Sequence, residues 1–153
     1  AKRGGLFLAG VVMAAAIALH NLPEGMVIGA SYAADLAEAG EDGRMMALVI
    51  GLHNIPEGMA VAVPLAAGGA SRGRAVLTTA AAGAPTVLGA VLGFCLGTMG
   101  PGLQMLTLGG ASGAMLYVVF GELLPESFRL CRSPAPVMAA VLGVLTGMGV
   151  VLG

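Results

Sequence analysis

Five long apolar runs, at residues 5–34, 45–67, 75–96, 103–125 and 136–153, alternate with short polar breaks along the chain. Each is long enough to cross a hydrocarbon core of ~30 Å as a helix. None shows the strict alternation of a barrel strand, and an unpaired backbone group in lipid costs several kcal/mol, so the runs are expected to be helical. The pattern predicts an all-α fold, an integral membrane bundle of five transmembrane helices forming one transmembrane domain over residues 1–153. Glycines at four-residue spacing mark faces where such helices approach closely: Gly25 and Gly29, then Gly89, Gly93 and Gly97, then Gly109 and Gly113, and Gly143 and Gly147. Pro85 lies inside the third run and is a candidate kink or hinge.

The polar residues that interrupt the first two runs form the same word twice. His20-Asn21-Leu22-Pro23-Glu24-Gly25 returns 33 positions later as His53-Asn54-Ile55-Pro56-Glu57-Gly58, each copy followed by Met, and the two words hold both histidines of the chain. Positions four apart stack on one face of a helix, so each word aims an imidazole and a carboxylate at one point. Pro23 and Pro56 cannot donate to the carbonyls of Leu19 and Leu52, which leaves a kink and a spare oxygen nearby. Asn21 and Asn54 stand about 100° round the helix from their histidines, at the edge of the same site or in a second one beside it. A lone histidine on an apolar helix is ordinarily a hydrogen-bonded core residue. The repeated glutamate argues otherwise, because an ionised carboxylate in hydrocarbon costs at least ~3 kcal/mol without a partner, and no lysine or arginine lies in either run near the words. A divalent cation would neutralise both. The donor set of imidazole, amide oxygen and carboxylate suits Zn2+, Fe2+, Mn2+, Co2+ or Cd2+ better than Cu+.

Consecutive spans run in opposite directions, so the two words form an inverted repeat about an axis in the membrane plane. That places His20 near the height of Glu57, and His53 near that of Glu24. Four side chains then surround one ion, or the carboxylates bridge two.

Charge sets the orientation. Six of the seven cations, Lys2, Arg3, Arg72, Arg74, Arg129 and Arg132, fall on one side of the membrane, with Arg44 on the other. The positive side is expected to be cytoplasmic, which puts the N-terminus inside the cell and the C-terminus outside, across an inner or plasma membrane. The opposite side receives an acidic loop of Asp35, Glu38, Glu41 and Asp42, a solvated connector that also concentrates cations. Glu122 and Glu126 stack one turn apart at the cytoplasmic end of the fourth span. Two readings stand for them: an ion exit path, or an interfacial pair answering Arg129 and Arg132.

Composition agrees with a membrane protein. The chain has 153 residues, 58% hydrophobic and 10% charged, with no Trp and a mean hydropathy of +0.95. The net charge of −1 leaves no footprint for nucleic acid. Cys95 and Cys131 fall towards opposite faces, so no disulfide is expected. The ten methionines are scattered filler and not a soft-metal path.

Enzymatic readings fare poorly. Gly110-Ala111-Ser112-Gly113 matches the GxSG of intramembrane serine proteases, but no histidine follows His53 to serve as base. Neither word is an HExxH zinc-protease motif. The stronger alternative to transport is a metal held permanently as a structural staple or sensor. Carboxylate and amide donors beside prolines favour exchange, since permanent zinc sites recruit cysteine or further histidine.

The doubled HNxPEG closely resembles the ZIP (Zrt-, Irt-like protein) family of divalent metal transporters, in particular its bacterial zinc-uptake members. The stretch 114–126, ending Gly121-Glu122-Leu123-Leu124-Pro125-Glu126, is similar to a late helix of that family. Members have eight spans with ligands on the fourth and fifth, so the resemblance implies that this chain corresponds to the last five and lacks three N-terminal spans. It implies one metal site at His20, Glu24, His53 and Glu57, with Asn21, Asn54 and the bridging glutamates forming its neighbour. Some relatives carry an acid where Asn54 stands, or a further acid on the next span. Residues 75–96 contain none, so the second site is expected to be weaker or absent. The function implied is uptake of a divalent metal, zinc first, by alternating access. The partners implied are the metal ion, membrane lipid, the missing spans and a second copy in a homodimer.

Overall fold

The computed structural model describes residues 2–38 and 40–152; the side chains of residues 2, 37, 38, 118, 122, 123, 126, 130 and 150–152 lie outside the described set. The elements are α1 (Lys2–Glu38), α2 (Asp42–Ala67), α3 (Arg72–Thr98), α4 (Pro101–Tyr117), a π-helical segment (Val118–Leu123), α5 (Leu124–Leu130) and α6 (Ala135–Leu152). They form two compact units, residues 1–115 and 116–153. The chain is an all-α, multi-pass membrane helical bundle. Among the described residues, four helices are long and apolar enough to span, in Arg3–Leu36, Asp42–Ala67, Arg72–Thr98 and Pro101–Gly121. The described apolar part of α6, Ala135–Gly149, is shorter than these.

In the first unit α1 is the central element. Its contacts with α2 pair Phe7 with Gly68, Gly10 with Leu65 and Tyr32 with Gly43, an order that makes the two helices antiparallel. Its contacts with α3 pair Gly25 with Thr86, Gly29 with Ala90 and Ala33 with Gly97, which makes those two parallel. The α1–α3 contact is backbone against backbone. A Cβ on Gly25 or Gly29 would sit inside the carbonyls of Thr86 or Ala90, and one on Gly89 or Gly93 inside those of Leu22 or Met26. In lipid, where apolar surface gains nothing by leaving the solvent, this close approach supplies the packing attraction. Two apolar clusters lie along α1. One gathers Ala14, Val61, Leu65, Ala75 and Ala82; the other gathers Val27, Ile50 and Ala111 of α4. The first ligand word lies between them.

The helix ends follow local chemistry. Asp35, in the last turn of α1, accepts from the backbone N–H groups of Asp42 (3.0 Å) and Gly43 (2.8 Å), so the N-terminus of α2 is capped from the preceding helix. Glu41 pairs with Arg44 at 3.3 Å. Two acids of the loop read as a cation collector are therefore engaged in holding the loop itself. Gly69, at φ +97°, makes the turn between α2 and α3, and Ser71 caps α3 by accepting from the Arg74 N–H at 3.4 Å.

The run 103–125 is not one regular helix. It passes from α4 into the π-helical segment, where the Leu124 N–H reaches back to the Val119 carbonyl, five residues away. Pro125 supplies the reason: having no N–H, it cannot continue the i to i−4 ladder to Gly121, and the turn before it widens.

Gly29→Ala should therefore push α1 and α3 apart and cost about 1–3 kcal/mol in thermal or denaturant unfolding of the detergent-solubilised chain. Gly109→Ala, whose Cβ would meet nothing within 4 Å, should be neutral or slightly stabilising. Asp35→Ala, which uncaps α2, should cost about 1 kcal/mol in the same measurement.

Candidate metal centre

Each ligand word lies on an unbroken helix, the first within α1 and the second within α2, and both helices run through their prolines without interruption. The i to i+4 spacing brings His20 Nε2 to 3.2 Å from Glu24 Oε1, and His53 Nε2 to 3.3 Å from Glu57 Oε1. The antiparallel register supplies the crossed pairs, His20 with Glu57 and His53 with Glu24, at 3.5 Å each. The imidazoles meet edge to face with ring centroids 6.4 Å apart. One donor atom from each of the four side chains lies within 4.8 Å of the others. The four His–Glu separations of 3.2, 3.3, 3.5 and 3.5 Å match the edges of a tetrahedron around a single ion with bonds of ~2.0–2.2 Å to nitrogen and oxygen.

Burial decides what the cluster needs. Glu24 is 0% exposed, and both its oxygens, together with Glu57 Oε2 and His20 Nδ1, make no hydrogen bond. Two carboxylates in this setting repel one another and are far from water, while the imidazoles beside them are natural divalent-metal donors in their neutral form. A bound cation answers both the charge and the orphaned oxygens. The fourth ligand is the open one: the His53 side chain is 50% exposed.

The asparagines lie outside this cluster. Asn21 turns to α3, where its Nδ2 donates to the Ala82 carbonyl at 2.9 Å. Asn54 Oδ1 is buried without a partner. Both line a cavity of about 80 Å³ with Glu57, Gly58, Thr79, Ala82 and Gly83, and this cavity adjoins the cluster through Glu57. It is roomy enough for water or a partly hydrated ion. The contribution of α3 is what sequence reasoning missed: Thr79 and Ala82 line this region, and one turn beyond Ala82 the Thr86 hydroxyl is buried and unpaired. Thr78, Thr79 and Thr86 in an otherwise apolar run were the available signal. The side chains of Glu122 and Glu126 lie outside the described residues.

Comparison with known proteins agrees with this geometry. The family described as ZIP Zinc transporter matches residues 2–153. The zinc transporter GufA of Myxococcus xanthus is 40% identical over 114 residues, which cover 74% of this chain and 44% of that protein. The chain thus spans less than half the length of this curated relative. No solved structure matches.

If the cluster holds an ion, added metal should raise the stability of the purified chain by about 2.7 kcal/mol at a hundredfold excess over the dissociation constant. In Glu24→Gln the metal-dependent increment should vanish, while the metal-free protein unfolds no more easily than its parent, since a buried charge has been removed. Calorimetric or fluorescence unfolding with and without chelator measures both.

Proposed function

Because the chain belongs to the ZIP zinc transporter family, a family of transporters and not of enzymes, we propose that it carries a divalent metal, zinc first, across the membrane into the cytoplasm. The carrying observation is the convergence of His20, Glu24, His53 and Glu57 from two antiparallel helices onto one ion-sized space, with Glu24 fully buried. In this reading the four residues ligate the transported ion near the bilayer midplane, and Fe2+, Mn2+, Co2+ or Cd2+ can take zinc's place. The two words are an inverted repeat, a reading supported by direct and crossed His–Glu distances that match within 0.1 Å in each pair. Asn21 and Asn54 serve a second, weaker position in the adjoining cavity, and Glu122 and Glu126 pass the ion to the cytoplasm.

The bundle has five spans, α6 being the fifth, with the N-terminus cytoplasmic and the C-terminus outside, in the cell membrane as one transmembrane domain. Three further spans precede it in the complete transporter. The half-exposed imidazole of His53 supports that reading, because a polar ligand at this depth needs cover from another helix. A homodimer is compatible with the glycine-bearing face of α6, where Gly143 and Gly147 meet nothing within 4 Å.

Transport proceeds by alternating access, one helix group rocking against another around the ion. Metal content of the purified chain, measured by mass spectrometry, tests the binding step: roughly one or two divalent ions per chain are expected, with loss in Glu24→Ala and in Glu57→Ala. Absence of bound metal in the parent chain at saturating zinc would overturn it. For the transport step, a cross-link that fixes one distance across the site in the complete transporter should abolish uptake in proteoliposomes. Full uptake with the link in place would leave a static metal site as the better reading.

A further inference from the structure

The ligand words hold the only two asparagines of the chain, and their environments differ. Asn21 is 2% exposed and its Nδ2 donates to the Ala82 carbonyl of α3. Among the described residues Asn54 makes no such bond.

The acceptor is available for a local reason. A helical threonine ordinarily gives its hydroxyl to the carbonyl four residues back, as Thr79 does to Ala75 at 2.9 Å and Thr146 does to Leu142 at 2.8 Å. Thr86 stands four residues after Ala82 and does not do this; its Oγ1 is buried and unpaired. The second lone pair of the Ala82 carbonyl is thereby left to a side chain arriving from α1. The close contact of Gly25 with Thr86 brings α1 near enough to deliver it.

An amide that gives a nitrogen proton to a fixed carbonyl has its orientation fixed as well. Asn21 Oδ1 is buried, has no partner, and belongs to a residue lining the cavity of about 80 Å³ beside Glu57. The geometry points to a division of roles between the two asparagines: the turn Ala82–Thr86 of α3 is a positioning element that holds Asn21 as a preset oxygen donor, whereas Asn54 reorients when an ion enters. The ion in this inference rests on the transport reading above; the pinned amide does not. Its consequence for selectivity is that one wall of the cavity presents a neutral oxygen at a fixed place, independent of whether metal is bound.

With only two asparagines, the full chain labelled with 15N-asparagine gives two side-chain amide signals, and their hydrogen exchange can be followed with and without Cd2+ as the probe ion. The Asn21 amide should exchange about tenfold more slowly than that of Asn54 in the metal-free protein. Cd2+ should leave the Asn21 rate within about twofold and slow that of Asn54 severalfold. Gly25→Ala, which pushes α1 away from Thr86, should stretch the Asn21–Ala82 bond and bring the Asn21 rate towards that of Asn54. Asn21→Asp keeps an oxygen and adds a charge but removes the donor, so Cd2+ affinity should fall severalfold; a simple ligand role would raise it. Equal exchange of the two amides in the parent chain, or an Asn21→Asp variant that binds Cd2+ as tightly as the parent, would overturn the inference. If the parent chain takes up no Cd2+, the transport reading fails, and the exchange rates still decide whether Asn21 is pinned.

Discussion

Glu24 lies well inside a 37-residue apolar helix, out of reach of water, with neither carboxylate oxygen hydrogen-bonded and with the cations of its own helix, Lys2 and Arg3, about six turns away. Its charge has to be balanced by what the facing helix brings to the same depth. An antiparallel partner carrying the same word is one sequence solution to that problem, because reversing the direction exchanges the order of histidine and glutamate. His53 then arrives opposite Glu24 and Glu57 opposite His20, both at 3.5 Å. A one-residue slip of α2 would move its rise by ~1.5 Å and rotate its ligands by ~100°, so the register is specified by the site as much as by the packing. The packing agrees with it, since the Gly68 contact with Phe7 at one end and the Gly43 contact with Tyr32 at the other impose the same register.

That balance requires α1 to be held still, and the means is glycine. Along α1 and α3 the backbones touch over about two turns without intervening side chains. A larger residue would either part the helices or turn the ligand face. Asn21 is the polar continuation of the same seam, one turn before Gly25. Its bond to Ala82 satisfies a buried amide proton at a carbonyl that the Thr86 hydroxyl leaves open. The stripe of small residues and the ligand word are thus successive parts of one face of α1, the first setting the distance to α3 and the second using it.

Much of this was legible in the residues alone. The i to i+4 pairing of His20 with Glu24 and of His53 with Glu57 follows from helix geometry, and the crossed pairing follows from two successive spans; both distances appear as expected. The glycine spacing marked the α1–α3 contact but not its partners, because periodicity identifies a face and not what lies against it. Asn21 shows the limit more sharply. Its place in the repeated word made it equivalent to Asn54, and only the proximity of α3 separates them. The fourth run misled in a different way: hydropathy averages over Pro125, whereas the hydrogen-bond ladder does not, so an apolar stretch of uniform appearance contains a π-helical turn. Asp35 was read by its charge, as part of an acidic loop; its carboxylate spans from one helix to the next to cap it, a geometry set by the tightness of the α1–α2 connection.

The near-symmetry of the two words and the asymmetry of their surroundings have to be explained together. His20 and Glu24 are buried, while His53 is half exposed and Glu57 borders a cavity. Equal sequence in unequal surroundings gives the four ligands unequal freedom. The α1 pair lies beside the backbone contact with α3; the α2 ligands meet α1 through side chains, while backbone contact between α1 and α2 falls near the ends of α2, at Gly43, Leu65 and Gly68, and Gly58 is in looser contact with Thr79. In the alternating-access reading the α2 side is the one to yield, because its ligands meet α1 through side chains and not through backbone. A site built from two rigid halves would bind an ion more tightly and release it more slowly. One rigid and one yielding half suits a cation that has to be desolvated, held and let go.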